Sequence, residues 1–237
     1  MSEIAELGAP LDGKARPVSF DVPPTPRAAA KAKPVPVRVA VIGEFNSGKT
    51  TLLNALLGAA VLPASFITHT AYPTVIRFAP RPTLSAEVTG RRRVAFAWED
   101  LDSAPSHHIR RLHVGMPLER LRTLNAIDTP GLGLGDPEQE ERTVRACRSA
   151  DLVIWCTPAM QAWKASEQQI WLSMPRSVRQ RGILAVTFMD ALNAPSDAVR
   201  VLARLHTDAG DAFTRIVTTA AQGVDEMLGA QVAQAAG

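Results

Sequence analysis

Residues 37 to 58 read VRVAVIGEFNSGKTTLLNALLG, and they set the architecture expected of the chain. An apolar run ends at Ile42, the pattern G-x-x-x-x-G-K-[ST] follows, and a leucine-rich stretch typical of a helix continues to Gly58. Gly43 and Gly48 allow the backbone to turn back on itself, so that successive N–H groups face one anion. Lys49 adds a positive charge, and a helix that begins there directs the positive end of its dipole at the same point. A strand, a loop and a helix in this order predict a nucleoside polyphosphate site.

The composition is that of a globular protein of ordinary size. The chain has 237 residues, of which 46% are hydrophobic and 21% charged, and this length fits one α/β domain with extra segments. No apolar run approaches the roughly 20 residues needed to cross a bilayer, and the N-terminus lacks the apolar core of a secretory signal. Cys147 and Cys156 are expected to be buried, reduced thiols. We therefore expect a cytoplasmic protein, with peripheral membrane contact at most.

Positive charge is clustered at two places. Arg91–Arg93 are consecutive, and Arg110 and Arg111 follow a pair of histidines. Because no aromatic residues alternate with them, solvated loops are favoured over a nucleic-acid surface. The histidines show no spacing typical of zinc ligands, so no zinc site is expected.

The chain divides into a leader and a globular region. Residues 1–36 are rich in proline and alanine and are predicted to be disordered. Residues 37–237 alternate short β-branched runs with helical stretches, which predicts an α/β fold with a doubly wound, mostly parallel sheet and flanking helices. We expect strands at 37–42, 74–78, 83–88, 94–98, 121–127, 151–156, 182–188 and 215–218. We expect helices at 49–58, 137–149, 166–174, 197–207 and from 223 to the end, with 99–120 mainly loop. Trp163 and Trp171 are expected on one face of a helix.

A second motif, Asp128-Thr129-Pro130-Gly131, follows a predicted strand. A carboxylate there can reach Mg²⁺, and the N–H of Gly131 can sense a γ-phosphate. In doubly wound sheets ligands gather at the carboxyl ends of the strands, where both this motif and the phosphate loop fall. The alternative is an ordinary β-turn closed by Pro-Gly.

A third motif, Thr187-Phe188-Met189-Asp190, follows a late strand. A carboxylate at Asp190 can accept hydrogen bonds from N1–H and the exocyclic amino group of guanine, a donor pair that adenine lacks. The usual pattern is [NT]-K-x-D, and Phe188 stands where lysine is expected, although its ring could stack on a purine. The alternative is that Asp190 merely ends the strand, which leaves ATP open as a ligand.

Together these segments, with Leu62-Pro63 and residues 70–78, resemble the GTPase domain of bacterial dynamin-like proteins over roughly residues 37–222. The resemblance covers this P-loop GTPase domain without the family's helical stalk. It implies GTP and GDP as ligands and Mg²⁺ as cofactor. It also implies a nucleotide site formed by Gly43, Asn46, Ser47, Gly48, Lys49, Thr50, Thr51, Gly131, Thr187, Phe188 and Asp190. Metal binding is implied for Thr50, Thr70 and Asp128, and a catalytic role for Lys49 and for Thr70, the counterpart of the switch I threonine.

Three positions depart from the family pattern. Phe188 replaces the lysine, Phe45 stands where classical dynamins have a catalytic glutamine, and Leu132 leaves no glutamine after Gly131. The resemblance nevertheless implies slow, Mg²⁺-dependent hydrolysis of GTP, activated by a homodimer or a dynamin-like partner across the nucleotide face. The departures favour a second hypothesis, a nucleotide-binding switch with little or no catalysis. An ATPase is the third.

Overall fold

The structure is a computed structural model that describes residues 35–61, 72–90, 92–95, 97, 109–133 and 135–219. Over these ranges the chain forms a nine-stranded, mixed sheet with helices on both faces. The predicted α/β, doubly wound and mostly parallel fold is confirmed. The leader predicted at 1–36 lies outside the described residues except for its last two positions, and so does the helix predicted from residue 223.

The strands are β1 (Val37–Gly43), β2 (Thr74–Phe78), β3 (Thr83–Val88), β4 (Arg93–Ala95), β5 (Ile109–Met116), β6 (Leu124–Asp128), β7 (Leu152–Pro158), β8 (Gly182–Thr187) and β9 (Arg215–Thr218). The helices are α1 (Lys49–Leu57), α2 (Pro137–Arg148), α3 (Ala165–Ser173), α4 (Arg176–Arg179) and α5 (Pro195–Ala209). Their order in the sheet is β4-β3-β5-β2-β6-β1-β7-β8-β9.

The central strand is β1, which pairs in parallel with β6 and β7. Apart from Arg38, which is exposed, its side chains are buried on both faces, as expected for a parallel strand covered by helices on each side. Val39 and Val41 pack with Leu53 of α1, whereas Ala40 and Ile42 face the apolar side chains of α2, α3 and α5. Because β6, β1, β7 and β8 pair in parallel, their carboxyl ends lie at one edge of the sheet.

Strand β5 corrects a prediction. Residues 99–120 were expected to be mainly loop, but Ile109–Met116 pair with β2 and β3. Leu112 and Val114 point into the core, whereas Arg111 and His113 point the other way. The prediction was wrong because one face of this outer strand carries basic residues and a glycine, which hide its apolar alternation. Arg110, Arg111 and Arg93 therefore lie in strands rather than in the expected loops.

Several element boundaries also differ from the prediction. The strand expected at 121–127 begins only at Leu124, because Glu119–Arg122 form a 3₁₀ turn that buries Leu121. Helix α5 begins at Pro195, two residues early, since proline suits the first turn of a helix. Strand β8 ends at Thr187, because Phe188 has a φ of 56° and leaves the extended conformation.

An aromatic cluster holds the helices on one face of the sheet. Trp155 lies 5.7 Å from Trp171 and 6.2 Å from Trp163 between ring centroids, and Phe213 stacks on Trp171 at 4.5 Å. Trp163 precedes α3 rather than lying on it, so the expected shared helix face was wrong. The two rings nevertheless belong to one cluster, through tertiary packing around Trp155 and Phe213.

The cysteines are buried within the same fold. Cys147 lies in α2 and Cys156 in β7, both as free thiols, in agreement with the prediction of buried, reduced residues. Burial raises the pKa of each thiol to about 12. Within the described ranges, every helix falls short of the length or apolarity that crossing a bilayer requires.

Candidate nucleotide-binding site

The phosphate loop connects β1 to α1 and takes its shape from two glycines. At Gly43, with a φ of +146°, an added Cβ would lie 2.4 Å from the carbonyl oxygen of Cys156. Gly48 has a φ of +82° and caps the start of α1. Asn46, between them, is also left-handed with a φ of 58°. These left-handed positions bend the loop around the amino end of α1, where the helix dipole is positive.

Lys49, the first residue of α1, folds back over this loop. Its ammonium donates a hydrogen bond to the carbonyl oxygen of Glu44 at 2.6 Å, and the residue is only 9% exposed. Burial lowers the pKa of Lys49, and the negative charges at Asp128 and Glu44 oppose that shift. Thr50, half-buried, and Thr51, exposed, follow in the first turn. The loop thus holds a buried cation where the sequence predicted one.

Asp128 ends β6 beside the phosphate loop. It pairs in register with Val41 of β1 and with Thr74 of β2. Its Oδ1 atom is buried and has no hydrogen-bond partner among the described residues. Burial raises the pKa of this carboxyl to about 6, although the nearby ammonium of Lys49 acts to lower it. A buried, unsatisfied carboxylate oxygen at this point suits a hard cation such as Mg²⁺.

The residues after Asp128 lie against the phosphate loop. The N–H of Leu132 donates to the carbonyl oxygen of Gly43 at 3.0 Å, and Leu132 forms a parallel bridge with Glu44. A Cβ on Gly131 would lie 3.0 Å from the backbone of Phe45, so this close approach favours glycine. The motif is therefore joined to the loop rather than an isolated turn.

The third motif reaches the same loop from β8. The hydroxyl of Thr187 donates to the carbonyl oxygen of Ser47 at 2.9 Å. An added Cβ on Gly48 would lie 3.2 Å from the ring of Phe188. Asp190 is exposed in the 3₁₀ turn Met189–Ala191 that follows. The three motifs predicted from the sequence thus meet at one edge of the sheet.

One predicted residue cannot be located in this geometry. Thr70 lies outside the described residues. The strand that begins four residues later is β2, whose Thr74 is directly opposite Asp128.

Sequence reasoning missed a fourth contribution, from the segment between β7 and α3. The ammonium of Lys164 donates to the carboxylate of Glu44, which also accepts from the hydroxyl of Ser166 at 2.6 Å. Burial acts to raise the pKa of Glu44, but these two hydrogen bonds and the charge of Lys164 lower it below its usual value. This segment carries no recognised motif. The scarcity of lysine after residue 33, with only Lys49 and Lys164, was the one available signal.

An open cavity of about 440 Å³ adjoins the phosphate loop. Its walls include Glu44, Phe45, Asn46, Met160, Lys164 and Phe188. Phe45 and Met160 are 56% and 72% exposed, so an apolar surface lies beside the charged one.

Comparison with known proteins gives a consistent result. A family model described as the dynamin family matches residues 39–189. Dynamin-like protein 2 of Campylobacter jejuni is 27% identical over 165 residues, which is 67% of this chain and 27% of that protein. The isoniazid-induced protein IniC of Mycobacterium tuberculosis is 32% identical over 123 residues, 49% of this chain and 25% of that protein. The chain thus spans about a quarter of the length of these two relatives.

A solved structure of an oligomerised bacterial dynamin pair has the same fold. It superposes with a TM-score of 0.59 at 19% identity, over 84% of this chain and 33% of that one.

Proposed function

The chain belongs to the dynamin family, and from this premise we propose that it binds GTP with Mg²⁺ and hydrolyses it slowly to GDP and phosphate. The observation that carries the proposal is the meeting of Lys49, Asp128 and Thr187 around one phosphate loop. These residues belong to the three predicted nucleotide-binding motifs, which lie in three separate parts of the sequence. The match of residues 39–189 to the dynamin family model supports the same proposal.

Phosphoryl transfer depends mainly on positioning and on neutralising charge. We propose that the ammonium of Lys49 leaves the carbonyl oxygen of Glu44 for the phosphate oxygens, while the loop N–H groups surround them. Asp128 and Thr50 would hold Mg²⁺, which supplies charge neutralisation when bound. The N–H of Gly131 would contact the γ-phosphate, and Thr70 would orient the attacking water.

Slow turnover follows from two side chains. Leu132 is 2% exposed and packs in the core, so it offers no group to position water. Phe45 stands where classical dynamins have a catalytic glutamine, and its side chain is apolar and exposed. We therefore propose that a second copy or a dynamin-like partner completes the site across the nucleotide face. Turnover per molecule should then fall on hundredfold dilution, and constant turnover would contradict this step.

The burial of Leu132 also favours a second candidate, a nucleotide-binding switch without useful catalysis. A single-turnover assay separates the two functions. Lys49→Ala should abolish binding under either function, whereas Thr70→Ala should slow phosphate release only if the chain hydrolyses GTP. If Thr70→Ala and the unmodified chain are equally inactive, the switch is the better description.

The decisive test of the proposed ligand is calorimetric titration with GDP, a GTP analogue and ATP, each with and without millimolar Mg²⁺. We expect guanine nucleotides to bind and the triphosphate to bind more tightly with Mg²⁺. A folded chain with no affinity for any of them would refute the proposed function.

A further inference from the structure

We propose that Lys164 and Phe188 divide between them the two tasks of the single lysine in [NT]-K-x-D. In that pattern the aliphatic stem lies along the base and the ammonium reaches back to the phosphate loop. Here the ring of Phe188 provides the surface for the base, and Lys164 provides the ammonium from a different element. This inference rests on the proposed guanine nucleotide site and adds a residue to it.

The use of lysine in this chain is selective. After residue 33 the only lysines are Lys49 and Lys164, and every other side chain with a permanent positive charge is arginine. Both lysines contact one residue, since Lys49 donates to the carbonyl oxygen of Glu44 and Lys164 to its carboxylate. An ammonium is a compact point charge, whereas a guanidinium is a wide, planar fork. After residue 33, lysine therefore occurs only at the two positions whose ammonium groups contact Glu44 of the phosphate loop.

The backbone of Lys164 is held in place by a buried carboxylate. Its N–H donates to Glu167 at 2.9 Å, and Glu167 is completely buried. The same carboxylate accepts from the hydroxyl of Thr157 at 2.9 Å and from the indole N–H of Trp155 at 3.2 Å. A buried carboxylate is tolerated only when hydrogen bonds satisfy it, so these donors fix its position. Lys164 is consequently anchored to the end of β7, unlike an ordinary surface lysine.

The side chain of Lys164 extends from this anchor to the phosphate loop. Glu44, which receives its ammonium, has only 17% of its side chain exposed and also accepts from Ser166. The side chain of Lys164 is itself 40% exposed. Its ammonium is therefore held by Glu44 and is still open to solvent, so it can approach an anion bound on the loop. Exposed ion pairs by themselves contribute little to stability, so stability alone gives a weak reason for this arrangement.

Phe188 lines the same cavity as Lys164. Its left-handed backbone, with a φ of 56°, turns the ring onto Gly48 of the loop. Phe188 and Lys164 both line the cavity of about 440 Å³ next to Glu44 and Asn46. In the usual pattern one lysine side chain provides both the flat surface and the charge. Here two side chains, Phe188 and Lys164, provide them at the border of one cavity.

The test uses the full chain and measures the dissociation rate of a fluorescent GDP analogue and the Kd of GDP. We expect Lys164→Met to raise both about tenfold. Phe188→Lys in the Lys164→Met background should restore both to within about threefold of the unmodified chain, because it returns the ammonium to its usual position. Arg200→Met, which removes an exposed cation on α5, is the matched charge control and should change neither.

Rescue by Phe188→Lys separates this role from a structural one, because an ammonium at position 188, just after β8, cannot replace a packing contact made by residue 164. Circular dichroism of each variant checks folding, and Lys164→Gln repeats the experiment if Lys164→Met is unfolded. Nucleotide binding that Lys164→Met and Lys164→Gln leave unchanged, or that Phe188→Lys fails to restore, would overturn the division of tasks. Absence of binding by the unmodified chain would instead refute the proposed function.

Discussion

The hydroxyl of Thr187 lies 2.9 Å from the carbonyl oxygen of Ser47, a hydrogen bond between residues 140 positions apart. The same hydroxyl lies 3.2 Å from the carbonyl oxygen of Thr157. Thr187 is 3% exposed, so water cannot replace these contacts easily. A single buried hydroxyl thus connects the ends of β7 and β8 to the phosphate loop.

Replacing Thr187 by valine should loosen the phosphate loop. Valine keeps the branched shape but leaves the carbonyl oxygen of Ser47 without its buried donor, which costs about 1–3 kcal/mol. We expect a loss of that order in the free energy of unfolding from urea denaturation, and a several-fold higher Kd for GDP. Thr187→Ser keeps the hydroxyl and should retain most of the affinity. Equal losses in the two variants would show that packing matters here rather than the hydrogen bond.

Asp128 predicts a dependence of stability on pH in the absence of metal and nucleotide. Burial raises the pKa of Asp128 in the folded state from 3.8 to about 6. Between those values the folded protein retains a proton that the unfolded chain has released, so its unfolding free energy falls as pH rises. Above pH about 6 the penalty is complete and on the order of 3 kcal/mol. Asp128→Asn should therefore be more stable than the unmodified chain at pH 7.5, and this difference should vanish near pH 4.

Urea denaturation in EDTA at several pH values measures this difference, and Asp151→Asn is the control with the opposite sign. A hydrogen bond from Arg38 lowers the pKa of Asp151 below its ordinary value, so its contribution to stability is present at neutral pH and lost in acid. Asp128→Asn that is less stable than the unmodified chain at pH 7.5 would contradict the assignment of a buried, unsatisfied carboxylate.

Gly182 predicts a packing limit at the aromatic cluster. An added Cβ would lie 2.4 Å from the ring of Trp171, and the same ring stacks on Phe213. Gly182→Ala must displace this ring, and overpacking of this kind costs typically 1–3 kcal/mol. Gly210→Ala is the matched control, because nothing lies within 4 Å of its added Cβ. Urea denaturation followed by far-UV circular dichroism should show a large loss in the free energy of unfolding for Gly182→Ala and little change for Gly210→Ala.

The parallel half of the sheet could be predicted from the sequence because its strands are apolar on both faces. Within Val37–Gly43, Leu152–Pro158 and Gly182–Thr187 the only charged residue is Arg38, and glycine, proline or aspartate marks the ends of these runs. Strand β5 is different, since Arg111 and His113 alternate with Leu112 and Val114 on a strand far from the centre. Its position depends on pairing with β2 and β3, which local sequence does not reveal.

The candidate site also has one part that local sequence predicts and another that depends on tertiary contacts. The phosphate loop is one continuous segment whose spacing has a mechanical reason, so its glycines and Lys49 could be identified directly. Lys164 has no such spacing, because its place depends on the buried Glu167 and on the distance from α3 to Glu44. A residue whose role arises from tertiary contacts of this kind leaves only a compositional trace in the sequence.

Asp190 gives the sharpest test of guanine recognition. If its carboxylate accepts the N1–H and amino protons of guanine, Asp190→Asn should lower GDP affinity about 10- to 100-fold, since hydrogen bonds to charged groups contribute about 1.5–3 kcal/mol. The asparagine amide can instead donate to the C2 carbonyl of xanthine and accept its N1–H, so the variant should gain affinity for XDP. Competition of GDP, XDP and ADP against a fluorescent nucleotide measures all three. Asp208→Asn, an exposed carboxylate on α5, is the control. Equal displacement by GDP and ADP from the unmodified chain, or GDP affinity unaffected by Asp190→Asn, would show that Asp190 only follows the end of a strand.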